Sequence, residues 1–243
     1  MLNVVQGSAN MSATRQLIHA ALGYPGRLVA YGAVAFVLGQ LLYYILLDRG
    51  PDSIGQENGL VEQMQAAFAT FAAIAFFVAA TKSTYGKAGL VLCGSLAGYA
   101  AGRECDQLLE AYLFTDAYKY LIGLPLLAIA IVVGWKYRRT AISDSIPLAR
   151  TPAITMFGIA GVYICAVCQI FDRPEFWAGI ADHENAGATK ALVEEFAEVF
   201  GYLLIAFAGL EALFDACTPH SLTNGQSAMD DEFSSGVSQP SDR

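Results

Sequence analysis

The chain has 243 residues, of which 55% are hydrophobic and only 15% charged, with a net charge of −8. That is too apolar for an ordinary water-soluble domain of this length and points to a polytopic membrane protein, with the lipid bilayer as its first partner. No stripe of Lys and Arg with interleaved aromatics occurs, which argues against nucleic acid as a partner.

The N-terminal segment, residues 1–27, has no basic region followed by a short apolar core and a small-residue cleavage site, so it does not read as a cleaved signal peptide. Six apolar segments follow, at about 28–47, 59–81, 87–110, 117–137, 152–171 and 190–215. Each is expected to be a helix, giving an all-α bundle of about six transmembrane helices over 28–215. The third and fourth have short apolar cores and span only if their polar ends lie inside the bundle or at the interface. The runs are continuous rather than alternating, which argues against a closed barrel. Pro125 falls near the start of the fourth segment, where a proline is tolerated. Residues 216–243 turn polar and are expected to form a disordered tail.

Five cysteines are present, an odd count without the spacing of a disulfide framework. Cys165 and Cys168 make a C-x-x-C inside the apolar stretch IAGVYICAVCQIF, where cysteine behaves as a small hydrophobe rather than a redox or metal pair. The Lys and Arg favour the side holding the N-terminal segment, the TKSTYGK loop and the KYRR loop. By the positive-inside rule both termini are then cytoplasmic, and a bacterial inner membrane is the expected location. Most of the 22 Asp and Glu fall on the opposite, outer side. Acids contribute little to topology, so this excess suggests a site or a cation-attracting surface.

Three polar helix ends lie at that outer level: ENGLVEQMQ entering the second helix, GRECDQLLEAY leaving the third, and VEEFAEVFGY entering the sixth. Glu62 and Gln65 share a helix face. Arg103, Asp106, Gln107 and Glu110 fall on one helical stripe. Glu195 and Glu198 share a face that Tyr202 extends inward, so both are expected to aim at one point, joined by Glu62 if the second and sixth helices pack together. Arg103 is expected to neutralise one or two carboxylates, one of them bidentately. Two carboxylates brought close cannot both stay charged cheaply, so one would keep its proton and serve as a general acid, or a divalent metal would bridge them. Oxygen ligands suit Mg, Ca or Mn, and His183 as the one outer histidine gives little support to zinc. The helix macrodipole alone accounts for acids at the starts of the second and sixth helices. It does not account for Asp106 and Glu110 at the end of the third. Glu211, roughly 20 Å further along the sixth helix at 1.5 Å per residue, is expected at headgroup level on the inner side.

These same stretches resemble a group of small bacterial multi-pass membrane proteins of unknown function, with ENG-x-[VI]-E opening one helix, RE-x-D closing the next and [LV]-EE-x-x-E opening a later one. The resemblance covers about 57–215 and implies Glu57, Glu62, Arg103, Glu104, Asp106, Glu194, Glu195 and Glu198 as the marked positions. It implies no activity. Cys105 and Gln63 depart from the pattern without removing a charge. With His183, the marked carboxylates are the candidate metal ligands. A distant likeness to the alkaline ceramidase hydrolases lacks their spaced histidine pair.

Three functions follow as expectations. In the first, the protein is a membrane-embedded hydrolase or transferase on a lipid-linked substrate, with Glu62, Glu195 and Glu198 as acid/base groups or metal ligands and Arg103 on an anionic head group. In the second, it is a cation- or proton-linked carrier or an accessory subunit, with Glu211 marking an inner exit. In the third, the polar ends only lock helices together. The sequence sets no substrate, metal or oligomeric state.

Overall fold

The computed structural model describes residues 23–50, 59–171, 173–178 and 186–217. Among these the chain is all helical. The expected segment 1–27, apart from its last residues, and the expected tail, apart from Ala216 and Cys217, lie outside the described residues.

Helix α1 runs Tyr24–Arg49, started by a proline in its first turn and ended at Gly50, whose φ of 79° suits glycine. Helix α2, Leu60–Lys82, opens after Gly59 with Glu62 in its first turn. Helix α3, Lys87–Glu104, opens after Gly86, whose φ is 66°. A Cβ on Gly86 would also press on the Leu148 side chain at 3.0 Å. Helix α4 is the short Asp106–Tyr112. Helix α5, Lys119–Lys136, begins with a π-helical turn over Lys119–Gly123. Pro125 follows it and has no amide to give the preceding turn, so a widened turn suits this place. Helix α6, Ala141–Ala149, lies within the stretch expected as a basic loop and docks through buried Leu148. Helix α7, Pro152–Phe171, is capped by Thr151 Oγ1, which accepts from the Ile154 amide, and carries a π-helical stretch over Tyr163–Cys168. The short α8, Pro174–Ala178, is followed by the long α9, Ala186–Cys217.

Five helices, α1, α2, α5, α7 and most of α9, are long and apolar enough to cross a membrane. The remaining expected segment, the third, is α3, which carries a lysine at its start and Arg103 and Glu104 at its end, yet it packs between α2 and α5. The core is the seam where α2 meets α3 and α9. It is built from small residues, among them Ala69, Ala72, Ala73, Ala97 and Ala208, with Phe76 filling the space between. Close approach explains the choice. A Cβ on Gly209 would come 3.1 Å from Ala72 Cα and 3.2 Å from its carbonyl oxygen. In lipid, helices gain little from hiding apolar surface from each other, so close van der Waals packing of small residues has to hold them. Elsewhere large side chains such as Val29, Phe36, Ile131 and Val162 point outward, a surface suited to lipid and not to water.

One expected element is corrected. The third segment is not one helix to residue 110. It breaks at Cys105, with φ −105° and ψ 13°, and restarts at Asp106. The continuous stripe expected from Arg103 to Glu110 therefore does not exist.

Candidate functional site

Helix direction places the acids. Lys82 approaches Cys217 at one end of the bundle, and Gln65 reaches Glu195 at the other. Helices α2 and α9 therefore run in the same direction, and their N-terminal parts share one end. Helix α3 runs back alongside α2, on the side away from α9, so its C-terminus arrives at that same end.

Three helices thus contribute to one cluster. From α3, Glu104 is only 9% exposed and accepts a 2.6 Å hydrogen bond from Tyr202 Oη on α9. From α2, the fully buried Gln65 donates through Nε2 to Glu195 Oε2 at 2.9 Å, with a longer contact to the Glu195 carbonyl. Glu198, 8% exposed, lies within electrostatic reach of Glu104, Glu195 and Arg103. Glu62 is within reach of Glu104 and Glu195. Cys168, turned into the interior on the π-helical stretch of α7, lies within electrostatic reach of Glu198. Close packing of α7 on α9 puts it there. A Cβ on Gly201 would sit 2.5 Å from Ile164 Cγ1.

The sequence-marked residues divide. Glu62, Glu195 and Glu198 lie at one end, where the helical spacing put them, and Glu104, marked only through the resemblance, lies there with Arg103. Arg103 does so differently from the expectation. It makes no bidentate fork, only a 3.9 Å contact from Nε to Glu104 Oε1, with half its side chain exposed. Glu194 turns toward Lys190, 4.0 Å away on its own helix. Asp106 accepts from the Gln107 amide and Glu110 from the Asp116 amide, so both serve the α4 turn. Because Asp106 opens a new helix, it occupies an end where acids are favoured. The supposed misfit of acids at a helix C-terminus thereby disappears for that residue. Glu57 and His183 lie outside the described residues. Among the described residues no three His, Cys, Asp or Glu side chains are grouped so as to hold a metal ion.

Glu211 lies at the opposite end of α9 from these acids. It is enclosed rather than open to solvent, 2% exposed and held by a true fork from Arg27: Nε to Oε1 and Nη2 to Oε2, both 2.7 Å. Tyr31 Oη donates to Oε1 at 2.7 Å, and the Tyr31 ring stacks on Phe207 at 4.3 Å. Arg27 and Tyr31 are four apart on α1, one helical face. That spacing was the available signal, but the partner is 184 residues away. The C-x-x-C is not a pair. Cys165 faces out, Cys168 faces in, and both are free thiols.

Chemically, Glu104, Glu195 and Glu198 are carboxylates within electrostatic reach of one another, with Arg103 beside Glu104 and Glu198, in a part of the bundle that excludes most water. Such a group balances its charge with protons or a bound cation. Tyr202 and Gln65 supply fixed donors that orient two of the acids. No family model matches the chain, and comparison with curated proteins and with solved structures returns no match. The fold defines an all-α bundle with five helices long and apolar enough to cross a membrane.

Proposed function

We propose that this is a bacterial inner-membrane protein, with both termini cytoplasmic, whose carboxylate end faces outward and forms an acid–base site for hydrolysis or group transfer on a lipid-linked substrate. One observation carries the reading. Glu104, Glu195 and Glu198 come from two helices into electrostatic reach of one another, with the half-exposed Arg103 beside Glu104 and Glu198. A network built only for stability would be expected to match its charges, as Arg27 and Glu211 do at the other end. In this reading Glu198 and Glu195 exchange protons with the substrate, Tyr202 and Gln65 orient Glu104 and Glu195, and the exposed half of Arg103 meets an anionic head group. The basic KYRR stretch and the Arg138 guanidinium, 4.2 Å over the Trp135 ring, support a cytoplasmic opposite face. The family resemblance marks the same acids.

A carrier that uses Glu211 as an inner ion exit has less support, because both oxygens of Glu211 are occupied by Arg27. The test is turnover. Purified protein is incubated with a membrane lipid extract, and the lipids are followed by mass spectrometry, wild type beside Glu198→Gln and Glu62→Gln. The reading predicts a lipid-linked species consumed by wild type and spared by both variants at unchanged thermal stability. Identical lipid profiles for all three proteins would sink it.

A further inference from the structure

A second feature lies apart from the carboxylates, along the seam between α3 and α5. A groove of about 390 Å³ runs there, and no residue of the carboxylate cluster lines it. Its volume is that of a small-ligand site. Lys119 and Tyr99 stand at its mouth, and Leu96 and Leu127 form walls. Ala130 marks the deep end, about 16 Å from Lys119 at 1.5 Å per helical residue. The leucines are about half exposed, so the groove opens sideways toward the bilayer.

Ser95 lines this groove one helical turn below Tyr99. It is 6% exposed, and among the described residues its Oγ is the buried side-chain polar atom with no hydrogen-bond partner. A serine within a helix ordinarily donates back to the carbonyl one turn earlier, and this one does not. An unmet hydroxyl in apolar surroundings is costly, and an acceptor arriving in the groove would relieve it. The acceptor has to be carried on an apolar chain, since the walls offer nothing polar at that depth. Lys119 holds Asp116 at 2.6 Å, but an ammonium has three donors and keeps others for a second anion.

We infer that the α3–α5 groove binds one glycerophospholipid from the bilayer, with an acyl ester carbonyl accepting from Ser95 Oγ, the phosphate at Lys119 and the acyl chain running toward Ala130. The spacing is that of a lipid, with the charged group at the mouth, an acceptor one turn deeper and hydrocarbon below. The site is independent of the proposed acid–base chemistry.

The test compares two lipids that differ at the acceptor. Detergent-purified full-length protein is titrated with a diester phosphatidylglycerol and with its diether counterpart, and bound lipid is counted by native mass spectrometry. Wild type should bind one diester lipid about fivefold more tightly than the diether, the preference one net hydrogen bond supplies. Ser95→Ala should abolish that preference. Lys119→Gln should weaken both lipids together and leave the preference intact. Equal affinity of wild type for the two lipids overturns the inference without relying on any variant. So does a preference that survives in Ser95→Ala, and unchanged affinity in Lys119→Gln removes the phosphate contact on which the pose depends.

Discussion

Replacing Arg27 by Met tests the reasoning about buried charge most sharply. Met keeps an apolar stem against Phe214, whose ring lies 4.9 Å from the guanidinium carbon, and removes the fork together with the charge over that ring. Glu211, 2% exposed, is then left inside the bundle with the Tyr31 hydroxyl as a remaining donor. Removing one member of a buried ion pair costs about 3–5 kcal/mol, because the other charge is stranded. The Arg27 side chain is 22% exposed and Tyr31 still donates, so the loss belongs at the lower end, about 3 kcal/mol. Adding Glu211→Gln removes the stranded charge and leaves an amide oxygen for Tyr31. The double variant should therefore be about 1–2 kcal/mol more stable than Arg27→Met alone, so that the two substitutions are not additive. Reversible chemical unfolding in mixed micelles reads both quantities. An Arg27→Met loss below about 1 kcal/mol, or strictly additive single and double variants, would refute the assignment of Glu211 as a buried charge held by this fork.

Two further predictions concern packing and pH. Gly209→Val should destabilise by about 1–3 kcal/mol, because its side chain meets the Ala72 backbone, which cannot turn aside. Gly158→Ala, at a helical position with nothing within 4 Å of the new Cβ, should be neutral or gain up to about 1 kcal/mol, as thermal melts of the two variants would show. Tyr85 lies in the turn between α2 and α3, outside the spanning helices. Burial, then its hydrogen bond to Asp215 at 2.8 Å, pushes its phenol up to about 12. The folded state holds that proton more tightly than the unfolded chain does. Its contribution is complete below about pH 10, the ordinary tyrosine value. It is lost as pH rises through about 12. The wild-type-minus-Tyr85→Phe difference in phenolate absorbance should rise near pH 12. A rise near pH 10 contradicts the burial of this hydroxyl.

Much of the architecture was legible because bilayer length and helical period act on contiguous residues. The α2 and α7 segments fall within a residue of their expected positions, and α1 and α9 extend a few residues beyond theirs. Spacing also brought Glu62, Glu195 and Glu198 to one end, since that follows from alternating crossings and a 3.6-residue repeat. The break at Cys105 was harder, as neither Gly nor Pro marks it. Its trace was the acids beyond Arg103, which a helix C-terminus disfavours and a fresh N-terminus accepts at Asp106. Arg27 with Glu211 was not legible, because a fork between residues 184 apart depends on which helices pack side by side. The same is true of Arg103, whose expected fork needed a carboxylate facing it, whereas Glu104 is its own neighbour and points at Tyr202. Glu104 illustrates the general point. Its charge is evident in the sequence, but its burial depends on the chain α3 meets.

The central claim is that the carboxylate cluster is an acid–base site that keeps a proton rather than a fully ionised structural network. Infrared spectroscopy of the purified protein in detergent at neutral pH, wild type beside Glu198→Gln and Glu104→Gln, measures this directly. The account predicts a protonated-carboxyl band in wild type that is lost or shifted by at least one of the two substitutions. A wild-type spectrum with only ionised carboxylates would contradict it.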